Sequence, residues 1–76
     1  MNKKDREELT NIKEHIEVLV EQLRSKGDAE QNKFDNLSEG LQTTEQGQRY
    51  QECADCIESV CSTIEDALDE LVECQY

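Results

Sequence analysis

The 76-residue chain has no proline, no tryptophan and only three aromatic residues. No run of apolar residues exceeds three, so we expect no transmembrane helix, and the N-terminus lacks the apolar segment of a secretory signal. With a single histidine and no glycine-rich phosphate loop, the chain lacks a base, a nucleophile and an orienting group that could converge on a substrate. The sequence therefore predicts a non-enzymatic, cytoplasmic protein that does not bind membranes.

Basic residues are also scarce, with eight lysines and arginines against nineteen acidic residues and a net charge of −11. Binding to nucleic acid or to an anionic membrane needs basic side chains, so neither is an expected partner. A small, strongly acidic protein is expected instead to bind a basic surface on another protein. The charge is uneven, because residues 1–40 carry seven basic and ten acidic groups (−3), whereas residues 41–76 carry one and nine (−8).

Helical periodicity is the clearest feature that the sequence does contain. It predicts an all-α chain, with one domain over residues 1–76 built as an antiparallel two-helix hairpin: a helix over 4–36, a turn over 37–43 and a helix over 44–74. The expected apolar seam of the first helix is Leu9, Ile12, Ile16, Leu19 and Leu23. The expected seam of the second helix is Tyr50, Cys53, Ile57, Val60, Ile64, Ala67, Leu71 and Cys74, in strict 3-4 spacing.

Two details of these helices are open to interpretation. The first helix could break at Gly27 and restart at Asp28, or it could continue with a four-residue stutter that returns Gly27, Phe34 and Leu37 to the apolar face. We favour the continuous, bent helix. For the second helix, Thr43 followed by Gln46 three residues later predicts the N-cap.

The core of such a hairpin is small. Only 34% of the residues are hydrophobic, and a chain of this length buries about 60% of its unfolded surface. Val20, Ala54, Cys61 and Leu68 lie beside the predicted seam and widen the apolar stripe. Two hairpins could bury this excess by dimerising into a four-helix bundle, or the same surface could dock on a host protein. We expect a homodimer.

An acidic stripe on the outer face of the second helix is the strongest hint of function. Such a stripe could imitate a phosphate backbone or grip a basic groove, and the alternative is a solvated face that only keeps the protein soluble. The expected partner-binding residues are Glu52, Asp55, Glu58, Glu65, Asp66, Asp69 and Glu73.

The four cysteines have the pattern C-x2-C-x4-C-x12-C. Cys53 and Cys56 have the spacing of a zinc-ligand pair, but Cys74 is about 30 Å from Cys53 along one helix, so a metal site would need a partner chain. We expect no metal and no cofactor, with Cys53 and Cys74 in the seam, Cys61 beside it and Cys56 as the most reactive thiol. His15 is expected on the helix surface without a role.

The turn resembles that of a group of short acidic proteins encoded by phages and prophages of Gram-positive bacteria. The matching residues are Glu30-Gln31, Lys33-Phe34, Asp35-Asn36-Leu37-Ser38-Glu39-Gly40-Leu41-Gln42, Glu45 and Gly47. Members of the group tend to have proline at the position of Ser38 and aliphatic residues or alanine at the cysteine positions. The resemblance implies a phage or mobile-element origin and a helical hairpin, and it transfers no catalytic residue.

Small acidic phage proteins often disable host nucleases, restriction systems or CRISPR effectors, some of them by imitating DNA. By analogy with that class, we expect an inhibitor of a host nucleic-acid-binding or defence protein that works in the host cytoplasm. The alternative is a self-assembling or phage scaffold protein whose charge only gives solubility. The direct partner would be a basic protein surface, not the nucleic acid itself.

Overall fold

The computed structural model describes residues 1–74, and it contains three helices: α1 (Lys3–Asp35), α2 (Glu39–Gln42) and α3 (Glu45–Glu73). The prediction of an all-α chain with two long helices is confirmed. No strand is present among the described residues, and none of their helices is long and apolar enough to cross a membrane. The segment expected as a simple turn contains the short helix α2.

Both long helices begin at a side-chain cap. The Asn2 Oδ1 atom accepts a hydrogen bond from the backbone N–H of Asp5 at 2.8 Å, at the start of α1. At the start of α3 the cap is Thr44, whose Oγ1 atom accepts from the N–H of Gly47 at 3.3 Å. The prediction of Thr43 as N-cap is wrong by one residue, because the Thr43 hydroxyl donates back to the Gly40 carbonyl at 3.0 Å.

α1 and α3 lie side by side in a molecule that measures 58 × 16 × 12 Å. The Cys61 Sγ atom lies 3.9 Å from the Val20 carbonyl oxygen, where it donates a weak hydrogen bond. Farther along, the side-chain amides of Gln31 and Gln51 exchange two hydrogen bonds of 2.8 and 3.1 Å. Residue numbers thus rise along α1 as they fall along α3, so the contacting helices run in opposite directions.

The residues at this contact follow an uninterrupted 3-4 repeat in each helix. In α1 the buried or half-buried positions of the repeat are Leu9, Lys13, Ile16, Val20, Leu23, Gly27, Glu30, Phe34 and then Leu37 just beyond the helix. In α3 they are Gly47, Tyr50, Ala54, Ile57, Cys61, Ile64, Leu68 and Leu71.

Half of the seam expected from the sequence lies outside this contact. Ile12, Leu19 and Val60 are 54%, 51% and 42% exposed, and Cys53, Ala67 and Cys74 are exposed as well. Their places are taken by the residues expected on the flank: Val20, Ala54, Cys61 and Leu68. At this contact Gly27 lies against Ile57 and Ala54, so the absence of a large side chain there lets the two helix backbones approach closely.

Gly27 lies inside the continuous helix α1, at its close approach to α3. A Cβ atom at this position would lie 2.9 Å from Ile57 Cγ2 and 3.3 Å from Ile57 Cβ. The glycine is therefore explained by packing, not by a break in the helix. No stutter is needed either, because the observed repeat reaches Gly27 and Phe34 without a change of spacing.

The connection around α2 is held by side-chain amides and by a second close approach. Gln42 donates from Nε2 to the carbonyls of Phe34 and Leu37, both at 3.2 Å, which satisfies two acceptors at the end of α1. A Cβ atom on Gly47 would lie 2.6 Å from the Leu41 carbonyl oxygen and 2.8 Å from that of Gln42. Since only glycine fits there, α3 can start directly against the end of α2.

Candidate partner-binding surfaces

One side of the contact between α1 and α3 is a polar groove. Its first section is lined by Glu17, Val20, Glu21, Arg24, Glu65, Leu68 and Asp69, and its second section by Arg24, Gly27, Asp28, Gln31, Ala54, Asp55 and Glu58. Arg24 stands at the centre, with its Nε atom 3.5 Å from Glu58 Oε2 and its Nη2 atom on Glu65 Oε1. The pKa of Arg24 is raised above its ordinary value, first by the hydrogen bond to Glu65.

The groove divides the seven expected partner-binding carboxylates into two groups. Glu58 and Glu65 are paired with Arg24, and Asp55 accepts a hydrogen bond of 2.9 Å from Gln51 Nε2. The other four are exposed, and within residues 1–74 no ion pair or side-chain hydrogen bond involves them; they are Glu52, Asp66, Asp69 and Glu73. We call these four the outer carboxylates.

Arg24 is the residue of this surface that was not predicted from the sequence. Within the second helix Arg49 is the only basic residue, and it pairs with Glu45 at 2.7 Å. The signal was available, because an antiparallel alignment of the two helices brings Arg24 opposite Glu58. The acidic surface of α3 is therefore partly neutralised from the other helix.

The opposite side of the contact is apolar. Arg24 precedes Gly27 by three residues, and Glu58 follows Ala54 by four. The groove therefore borders two columns, each a set of positions seven residues apart along its helix: the column of Gly27 in α1 and the column of Ala54 in α3. The columns of Leu9 in α1 and Tyr50 in α3 therefore border the other side. The apolar face there consists of Leu9, Ile12, Ile16, Leu19 and Leu23 from α1 and Cys53, Ile57, Val60, Ile64, Ala67, Leu71 and Cys74 from α3.

Acidic residues avoid the α3 part of this apolar face. α3 contains nine carboxylates in 29 residues, yet the positions that follow the edge of the face are almost all uncharged. These positions are Cys53, Cys56, Val60, Thr63, Ala67, Glu70 and Cys74, of which only Glu70 carries a charge. Charge is thus concentrated on the remaining surface of α3 and nearly absent from one continuous strip.

The cysteines occupy both surroundings. Cys61 is 0% exposed and packs at the centre of the helix contact, whereas Cys53, Cys56 and Cys74 are exposed. The expected placement of Cys53 and Cys74 in the seam with Cys61 beside it is therefore reversed. Within the described part of the chain, no group of three or more His, Cys, Asp or Glu side chains could hold a metal ion.

His15 is exposed on α1.

Comparison of the chain with models of protein families, with characterised proteins and with solved structures gives no match. The resemblance to the phage-encoded acidic proteins and the function that it implies remain predictions.

Proposed function

We propose that this chain is a non-enzymatic interaction protein, folded as an antiparallel helical hairpin, that presents acidic side chains of α3 to a basic surface on a host protein. The observation that carries the proposal is the set of four outer carboxylates, which are exposed and outside every ion pair of residues 1–74. In this role the protein is a phage-encoded inhibitor of a host nucleic-acid-binding or defence protein, active in the bacterial cytoplasm.

The geometry of α3 suits charge recognition. Glu52 and Glu73 are 21 residues apart, which corresponds to about 32 Å of helical rise, so the outer carboxylates span nearly the ~34 Å of one turn of DNA. An exposed ion pair contributes about 0.2–1 kcal/mol, so four of them would add modest affinity. Their larger effect is faster association with a basic partner, which falls steeply as salt is added.

The phage origin is supported by the turn. Phe34, Leu37, Gln42 and Gly47 belong to the resembling segment, and each of them takes part in the connection between the long helices. A chain that shares these residues would build the same connection. The resemblance therefore concerns residues that determine the fold.

The test is a pull-down from a bacterial lysate at low and high salt, with the retained proteins identified by mass spectrometry. The outer-carboxylate variant carries Glu52→Lys, Asp66→Lys and Glu73→Lys. Its matched control carries Glu7→Lys, Glu14→Lys and Glu39→Lys, the same charge change at exposed positions outside α3. We expect the wild type and the control to retain a basic protein at low salt and to release it at high salt. The outer-carboxylate variant should not retain it. Equal binding by both variants would refute the proposal.

A second function is favoured by the apolar face. In this alternative the chain is a self-assembling or scaffold protein, and its carboxylates only keep it soluble. Its association would then involve apolar contacts, so it would change little with salt. Retention of the chain alone, at either salt concentration, would support the scaffold function.

A further inference from the structure

We propose that the apolar face binds a second copy of this chain across a two-fold axis perpendicular to the helices, at the level of Ile64, with α3 antiparallel to the partner's α3. The accessible surface of the chain is 5729 Å², whereas a monomeric protein of 8.8 kDa exposes about 4,800 Å². The excess of roughly 900 Å² is close to the ~800 Å² that each partner buries in a standard stable interface. The inference deepens the proposed self-association and does not depend on the acidic partner.

The part of the face on α3 has similar residues at nearly equal distances on either side of Ile64. Cys53 and Cys74 form its ends, and Val60 and Ala67 are the small residues on either side of the centre. A two-fold axis at Ile64 brings Cys53 opposite the second copy's Cys74, Val60 opposite Ala67, and Ile64 opposite itself. Every layer then joins residues of compatible size, as an isologous interface requires.

Four residues of the face on α1 are arranged symmetrically too. Ile12 and Leu23 enclose Ile16 and Leu19, so the centre of these four falls between residues 17 and 18, and Leu9 beyond them has Lys26 as its counterpart at the other end. An axis at that point brings Ile12 opposite Leu23 of the second copy and Ile16 opposite Leu19.

The two centres lie at the same height in the molecule. The contacts between the helices join residues whose numbers add up to 81 for Val20 and Cys61 and to 82 for Gln31 and Gln51. The level of Ile64 therefore corresponds to residues 17–18 of α1, where the α1 part of the face has its centre. One axis thus serves both helices, although nothing within a single chain requires the two centres to coincide.

Charge favours the antiparallel arrangement over a parallel one. Glu70 is the one carboxylate in the strip at the edge of the face, and it lies about six residues from the level of the axis. In the proposed dimer the two Glu70 side chains are about 19 Å apart along the helices, beyond the Debye length of about 8 Å at physiological salt. A parallel pair of α3 helices would place them next to each other.

The geometry is tested by thiol cross-linking between two variants that each keep one exposed cysteine. The first, Cys56→Ser/Cys74→Ser, keeps Cys53 as its exposed thiol; the second, Cys53→Ser/Cys56→Ser, keeps Cys74, and the buried Cys61 remains in both. A short bis-maleimide is added to each variant and to their mixture. The expected result is a cross-linked dimer only in the mixture, since like thiols would be about 30 Å apart in the proposed dimer. Cross-linking of either variant with itself would overturn the arrangement.

Adjacent substitutions test the face itself. Leu19 belongs to it, whereas Val18 is 58% exposed among exposed neighbours on another side of α1. Leu19→Glu should raise the dimer dissociation constant at least about 100-fold, because each dimer would bury two unpaired carboxylates. Val18→Glu adds the same charge and should change it less than about threefold.

Sedimentation equilibrium gives the dissociation constants, and circular dichroism checks that both variants stay helical. If Val18→Glu weakened the dimer as much as Leu19→Glu, the apolar face would be the wrong surface. A wild-type chain that stays monomeric at high-micromolar concentration would overturn the dimer, while salt-sensitive capture of a basic protein would still support the proposed acidic function.

Discussion

Replacing Gly27 with alanine sets two opposing effects against each other. Alanine within a helix is more favourable than glycine by about 1 kcal/mol. The added Cβ atom, however, would lie 2.9 Å from Ile57 Cγ2 and 3.3 Å from Ile57 Cβ. Isoleucine has one strongly preferred χ1 rotamer in a helix, so the Ile57 Cγ2 atom cannot turn away and the helices must separate; overpacking of this kind costs about 1–3 kcal/mol. We expect Gly27→Ala to lower the free energy of unfolding by about 1 kcal/mol.

A double-mutant cycle with Ile57→Ala isolates the close contact. In the Ile57→Ala background the Cγ2 atom is gone and only the 3.3 Å contact with the Cβ atom of residue 57 remains, so Gly27→Ala should raise the free energy of unfolding by up to about 1 kcal/mol through helix propensity. The coupling between the two sites should therefore reach about 2 kcal/mol. Gly40→Ala serves as the control, because a Cβ atom there has no neighbour within 4 Å.

The assay is urea unfolding followed by circular dichroism at one fixed protein concentration, since association changes apparent stability. The close contact between position 27 and Ile57 would be refuted if Gly27→Ala were stabilising by the same amount in the wild-type and Ile57→Ala backgrounds. That result would mean that α1 and α3 do not approach closely at this point.

Four further changes follow from the described contacts. Gly47→Ala should lower the free energy of unfolding by about 2–3 kcal/mol in urea titrations, because its Cβ atom would meet backbone carbonyls that cannot rotate away. Thr44→Ala should cost about 1 kcal/mol through the lost cap and Thr43→Ala clearly less, and equal losses in thermal unfolding would contradict the observed N-cap. Arg24→Ala should lower the urea midpoint only slightly at low salt and not at all in high salt, because it removes exposed ion pairs, and an equal loss in high salt would contradict this. Cys61 should react with Ellman's reagent at least about 100-fold more slowly than an exposed thiol, and rapid labelling of all four cysteines in the native protein would show that the helix contact opens freely.

The helices could be predicted from the sequence because helical periodicity is a local property. The face by which each helix contacts the other could not be predicted, because the apolar stripe of each helix is wide enough to contain two 3-4 repeats. Ile16, Leu23, Ile57 and Ile64 belong to both repeats, and only the neighbouring column distinguishes them. The strict 3-4 spacing predicted the column of Cys53 and Val60, whereas the structure packs the neighbouring column of Ala54 and Cys61.

The candidate site shows the same limit. The acidic character of α3 could be read from residue types alone, but the pairing of Glu58 and Glu65 with Arg24 joins residues 34 and 41 positions apart. Such a contact depends on the alignment of the helices, and alignment is a long-range property. The sequence carried a clue to it in Gly27, whose lack of a side chain marks the closest approach.

The reciprocal hydrogen bonds between Gln31 and Gln51 have a consequence for alignment. Two helices with regular heptads can slide past one another by seven residues and still bury apolar side chains, so apolar packing alone selects no single alignment. A slide of that size would bring Gln31 opposite Thr44 or Glu58, and the matched amide pair would be lost. These two amides therefore favour one alignment of α1 on α3. In the proposed dimer the symmetric parts of the apolar face coincide in height only in this alignment, so the amide pair and the short connection around α2 together set the height at which two copies would meet.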